Sequence, residues 1–261
     1  MREFRKDKLH VKVCADRAEL GRVAGADAAD AIRAALRAAS EARVIFAAAP
    51  SQNETLAALV AAPNLDWSRV VAFHMDEYVG LPIGSTARFS YYLKKHCFEL
   101  VPLKDVYYID EERNDDLPTI LERYENLLQA APIDVVVMGI GENGHVAFND
   151  PPVADFNDPK PIKVVELDDA CRTQQVHDGC FPNFEATPER AVTLTVPTLA
   201  SVKRQICAVP GKLKAEAVRK TLLDPISHAC PATILRTVPN ATLYLDEESF
   251  SLSANFDWEW I

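Results

Sequence analysis

Glycine is scarce in this chain, nine residues in 261, so a local concentration of it carries information. The six cysteines (Cys14, Cys97, Cys171, Cys180, Cys207, Cys230) form no Cys-x-x-Cys pair. This excludes a disulfide scaffold or a zinc ribbon and predicts reduced, mostly core cysteines. His177 and Cys180 alone have metal-like spacing, but no second ligand pair accompanies them, so no metal is expected. No apolar run approaches the ~18 residues of a membrane span, and the segment Met1 to Lys8 is charged. A cytoplasmic protein with no membrane partner is the expectation. Basic charge is also short, with 28 Lys and Arg against 38 Asp and Glu and a net charge of −10. A broad nucleic-acid surface is thereby excluded. A phosphorylated small molecule is not, because two or three local cations can hold one phosphate.

What is present is a core-forming composition, 48% hydrophobic and 25% charged, which folds. Strand-like runs alternate with helix-like runs. Val11–Cys14, Val44–Ala47, Val70–Phe73, Val135–Met138, Ala191–Val196, Gln205–Val209 and Ala241–Leu245 read as strands. Helices are predicted over about 16–39, through Leu56 and Leu59 with the polar side chains of 50–55 as its cap, over 90–98, over 118–128 and after Gly211. Such alternation predicts an α/β fold over residues 1–261 as a single domain, with one open, mainly parallel sheet and helices on both faces, Rossmann-like in style. The aromatic tail 255–261 is expected to dock on the body or on another subunit, making a homo-oligomer an open expectation.

Ligands of open parallel sheets bind beyond the carboxyl ends of the strands. Two polar clusters fall there, His74-Met-Asp-Glu-Tyr78 and Gly139-Ile-Gly-Glu-Asn-Gly-His145. The second contains three of the nine glycines and matches the G-x-G-x-x-G dinucleotide fingerprint, with Glu166 about twenty residues further on. Context argues against that reading, because Pro151 and Pro152 prevent the long helix whose N-terminus would face a pyrophosphate.

Two longer segments, His74-Met-Asp-Glu-Tyr-Val-Gly-Leu-Pro82 and Gly139-Ile-Gly-Glu-Asn-Gly-His-Val-Ala-Phe-Asn149, resemble the signature segments of glucosamine-6-phosphate deaminases, which share a fold with 6-phosphogluconolactonases. The resemblance covers most of the chain, from near Val44 to Asp246. It implies conversion of an aldose 2-amino-2-deoxy-6-phosphate into a ketose 6-phosphate with release of ammonia, without metal or organic cofactor. His145 matches the family's ring-opening histidine, a task suited to an imidazole with a pKa near 6.5. Asp76 matches the general base between C2 and C1, and partial desolvation would raise its basicity. Adjacent side chains on an extended segment point to opposite faces, so Glu77 is a supporting candidate. Gly141 and Gly144 are candidate substrate-side glycines.

The same resemblance assigns acidic partners of the histidine to Asn143 and Asp150. The expectation is that Asn143 accepts a hydrogen bond from the imidazole and fixes its tautomer, while Asp150 is one methylene short of the usual Glu. Arg172 and Lys214 fall where the family binds phosphate, with Lys212 competing for the second role. A further departure is Pro50-Ser-Gln-Asn-Glu-Thr55, which replaces a Thr-Gly-Gly-Thr-like phosphate cradle. Ser51, Asn53 and Thr55 offer donors there, but without glycines the loop loses the easy backbone approach of an anion nest. Two other readings stay open, a lactonase-like hydrolase and a non-catalytic sugar-phosphate sensor.

Overall fold

Apolar, β-branched runs alternating with Ala- and Leu-rich runs become an open sheet flanked by helices in the computed structural model, which describes residues 1–110 and 115–261. The strands among the described residues are β1 (Arg2–Lys6), β2 (Leu9–Cys14), β3 (Ala42–Phe46), β4 (Val70–His74), β5 (Asp76–Tyr78), β6 (Asp105–Tyr107), β7 (Val135–Met138), β8 (Ile162–Glu166), β9 (Arg190–Leu194), β10 (Arg204–Val209) and β11 (Ala241–Asp246). The α-helices are α1 (Arg17–Ala38), α2 (Asn53–Val60), α3 (Phe89–Leu93), α4 (Leu117–Gln129), α5 (Asp169–His177), α6 (Val196–Ala200), α7 (Ala215–Leu223) and α8 (Glu247–Phe250).

Eight strands form the main sheet in the order β1-β2-β11-β10-β7-β3-β4-β6, all parallel except the β1–β2 hairpin. Alternate side chains of its strands point into two helical layers. Val44 and Phe46 of β3 join α1, α2 and α3 on one face. Ile45, with Val136 and Met138 of β7, joins α4, α6 and α7 on the other. Helix α1 forms because its sequence is Ala-rich and because Asp16 caps it, its side chain accepting from the Glu19 N–H at 2.7 Å. A mainly parallel sheet covered on both faces is therefore the architecture.

A second, three-stranded antiparallel sheet, β5-β9-β8, stands beside it. The extended segment after β4 is a strand of this second sheet. Its Asp76–Tyr78 segment pairs with Ala191–Thr193, and non-local pairing of this kind leaves no local signal. A difference lies at the N-terminal end, where the charged segment is strand β1. There Phe4 is fully buried while its neighbours face out. Trp258 stacks on Phe4 at 4.3 Å between ring centroids, Trp260 meets it edge-on at 5.2 Å, and the Ile261 N–H donates to the Glu3 carbonyl at 2.7 Å. The aromatic tail docks on the body.

Chain order gives the cleft its position. From β3 the chain proceeds outward to β4 and β6, then returns to β7 on the other side of β3 and continues to β10 and β11. The β3–β7 boundary is thus a topological switch point, where the loops leaving the two strands diverge and open a crevice.

Candidate active site

The crevice encloses about 560 Å³ and is open to solvent. It lies over the carboxyl ends of four adjacent strands, each followed by a wall segment: β3 by Ala47 to Gln52, β4 by Met75 and Asp76, β7 by Gly139, Ile140, Gly141 and His145, and β10, further along, by Lys214. Phe89 of α3, Ala147 and Phe148, Gln174 and Gln175 of α5, and Asp178 and Cys180 after it complete the lining.

Asp76 starts β5 and lines the crevice, with its backbone held by the small sheet. Burial, followed by the neighbouring Glu77 charge, pushes its carboxyl well above the ordinary carboxylate range. Glu77 points the other way. Its Oε1 accepts from the Tyr78 and Phe89 N–H groups at 3.1 and 3.0 Å, and its Oε2 accepts from the Ser90 N–H at 2.9 Å. Arg88 stands 3.7 Å from Glu77 and bonds Asp110 at 2.8 Å. Glu77 therefore ties β5 to the first turn of α3 and does not line the crevice.

His145 closes the turn after β7. Its Nδ1 lies 2.8 Å from Asp150 Oδ1. Asp150 is fully buried, and burial pushes its carboxyl up; His145, Asn143 and Cys171 outweigh this and hold it below the usual range. A carboxylate at this distance favours the imidazole proton on Nδ1 and leaves Nε2 free to accept, although the ring is not aligned for a hydrogen bond to Asp150. The shorter acid reaches because residues 146–150 form a tight turn, with the Asn149 N–H donating to Val146 O and Ala147 at φ +50°.

Asn143 acts differently from the sequence expectation. Its Oδ1 accepts from the His145 backbone N–H at 3.0 Å, not from the ring, and its Nδ2 donates to Asp150 Oδ1 at 2.9 Å. A short amide two residues before an N–H closes such a local turn readily. Asn143 therefore orients Asp150, and Asp150 favours the Nδ1–H tautomer. A Cβ at residue 141 would lie 2.2 Å from the imidazole, so only glycine admits the ring there. Gly144 sits outside the crevice at φ +88°, against Cys230.

One strand joins the two walls. Strand β9 pairs Thr193 with Asp76, while Thr193 Oγ1 accepts from the Phe148 N–H at 3.0 Å. Asn149 Nδ2 donates to Leu194 O at 2.8 Å. Thr193 and Asn149 were absent from the sequence candidates because their roles depend on that pairing. His74 is buried and neutral, its pKa pushed down by burial to about 3. Its Nε2 accepts from the Ile109 N–H at 2.8 Å, which locates the ring proton on Nδ1.

The anion-binding candidates separate. Lys214 lines the crevice, only 6% exposed, and its ammonium makes no hydrogen bond or ion pair with the described residues. Burial lowers its pKa, opposed chiefly by Asp178 and Glu142. Lys212 is exposed. Arg172 lies outside the crevice, with its guanidinium 4.0 Å over the Phe184 ring and Nη2 donating to the Phe184 and Thr187 carbonyls. From the same helix Gln174 and Gln175 line the wall. Ser51 lines the crevice, whereas Asn53 accepts from the Tyr92 hydroxyl at 2.5 Å and Thr55 is fully buried on α2. Gln52, which sequence reasoning passed over, is also in the wall. His145, Asp150 and Cys171 bring ligand-type atoms within 4.8 Å of one another. Burial, the largest influence, holds the Cys171 thiol protonated, which disfavours a metal thiolate.

A doubly wound α/β sheet whose switch-point crevice carries an elevated carboxyl beside a His–Asp pair defines a class, proteins that bind a small ligand at the strand ends and present acid–base groups to it. The chain belongs to the family of glucosamine-6-phosphate isomerases and 6-phosphogluconolactonases, whose model matches residues 15–244. Among curated relatives, the glucosamine-6-phosphate deaminases of Bacillus thuringiensis (strain Al Hakam) and Bacillus cereus (strain AH820) are each 37% identical over 189 residues, 72% of this chain and 70% of theirs. A solved monomeric glucosamine-6-phosphate deaminase superimposes with a TM-score of 0.82 at 29% identity, covering 93% of this chain and 99% of that one. The 6-phosphogluconolactonase of Trypanosoma brucei shares the fold, with a TM-score of 0.73 at 21% identity, covering 95% and 98% of the two chains.

Proposed function

We propose that this protein isomerises and deaminates an amino-sugar phosphate, taking glucosamine 6-phosphate and water to fructose 6-phosphate and ammonia. The observation that carries the reading is the joint presence in one crevice of an elevated carboxyl, Asp76, and a basic imidazole nitrogen of His145 backed by Asp150. His145 Nε2 takes the O1 proton and returns it to the ring oxygen as the C1–O5 bond breaks. Asp76 then removes the C2 proton while a proton of the substrate's ammonium group passes to O1, giving a neutral enolamine, and Asp76 delivers its proton to C1. Water adds to the resulting C2 iminium and ammonia leaves, completing the ketone. Asp150 steadies the transient imidazolium, and Asn143 holds Asp150. Lys214 is the cation for the substrate's oxyanion. Glu77, Asn53, Thr55, Gly144 and Arg172 support the surrounding structure without touching substrate.

The test is a coupled assay for ammonia and fructose 6-phosphate with glucosamine 6-phosphate, run beside hydrolysis of 6-phosphogluconolactone. Turnover of the amino sugar is expected. Saturable binding without ammonia release, or turnover of the lactone alone, would overturn the reading.

A further inference from the structure

The loop after β3 presents its chemistry in an unusual sense. Pro50 has no N–H, the Gln52 N–H is spent on Ala49 O at 2.8 Å, and the Asn53 N–H is directed to Pro50 O. The N–H groups of Ala48, Ala49 and Ser51, also in the crevice wall, make no hydrogen bond with the described residues and remain as backbone donors. The side chain of Gln52 is fully buried yet lines the crevice. Its Nε2 donates to the Ala208 carbonyl at 3.1 Å, and a carbonyl can only accept, so the amide is held in one orientation. Oε1 is left buried without a hydrogen-bond partner. Leaving such an acceptor dry is costly, and its natural complement is an O–H group of the ligand. A phosphate dianion, which only accepts, cannot serve it. The oxyanion has Lys214, the unpaired ammonium of the same crevice.

We propose that Gln52 is a specificity-determining residue whose Oε1 accepts a hydrogen bond from a sugar hydroxyl. The inference deepens the proposed function and rests on it for the choice of ligand. Calorimetric Kd values are to be measured for glucosamine 6-phosphate and its 3-deoxy and 4-deoxy analogues, with the wild type, Gln52→Met and Gln52→Ala. Removal of one of the two hydroxyls is expected to weaken wild-type binding about tenfold or more. The folded Gln52 variants are expected to bind that analogue and the parent alike. Equal binding of all three ligands by the wild type overturns the proposal without recourse to variants. A variant that keeps the wild-type pattern, or one that weakens all three ligands equally, also overturns it. If the wild type binds none of the three, the functional reading falls and this inference falls with it. If all three bind and only the hydroxyl pattern fails, the functional reading stands alone.

Discussion

Asp76 illustrates how one residue can oppose the stability of its own fold. The carboxyl is buried beside Glu77, and its elevated pKa means that the folded state prefers it protonated. The stability associated with that preference is fully present below the ordinary carboxylate pKa of about 4 and is lost as pH rises through the elevated value. Above the ordinary carboxylate pKa its burial therefore costs the fold stability. Asp76→Asn is expected to raise the midpoint of thermal unfolding at pH 7 while lowering kcat roughly 10²–10⁴-fold; an unchanged kcat would remove Asp76 from the chemistry. The acid limb of the kcat/KM profile is expected above the ordinary carboxylate range, and it should disappear or move in Asp76→Glu. Asp150 has the opposite sign. Its lowered pKa contributes stability above about pH 4 that is lost as pH falls through the depressed value.

Strand β5 is three residues long and has no propensity of its own to speak of; the elements on either side hold it. On one edge it pairs with β9, and on its far side Glu77 collects the N–H groups that begin α3 together with buried Arg88. Arg88 keeps Asp110 as a partner, but removing the Glu77 carboxylate leaves the Tyr78, Phe89 and Ser90 N–H groups without their acceptor. Glu77→Ala is accordingly expected to cost about 3 kcal/mol in chemical denaturation. Its kcat should fall less than that of Asp76→Asn, and a fully stable Glu77→Ala with no turnover would instead make Glu77 a substrate group.

At the scale of the molecule, the small sheet is not an independent unit. Ile162 of β8 and Val192 and Leu194 of β9 belong to the same apolar cluster as Phe73 and Met138 of the main sheet. One core shared by two sheets should unfold as one. A single calorimetric transition with matching calorimetric and van't Hoff enthalpies is expected, and two resolved transitions would divide the chain into separate domains. The tail belongs to this whole as well. Its aromatic rings cover Phe4 on the outermost strand β1 and shield an edge otherwise open to pairing with another chain.

The alternation of elements was legible along the chain because helical and extended periodicities are local properties, as was the concentration of polar residues at the ends of β4 and β7. Asp76 and His145 could be singled out for the same reason, each lying within a long distinctive segment. Sequence alone could not show which way a side chain turns once strands from distant parts of the chain pair. Strand β9 brings the Asp76 and His145 walls together, and the tight turn lets Asp150 reach the imidazole while Asn143 bends back to the backbone. Arg172 is drawn onto Phe184, and the Ala208 carbonyl fixes the Gln52 amide so that its oxygen is left without a partner. These outcomes depend on contacts between residues far apart in sequence, and such contacts exist only in the folded chain.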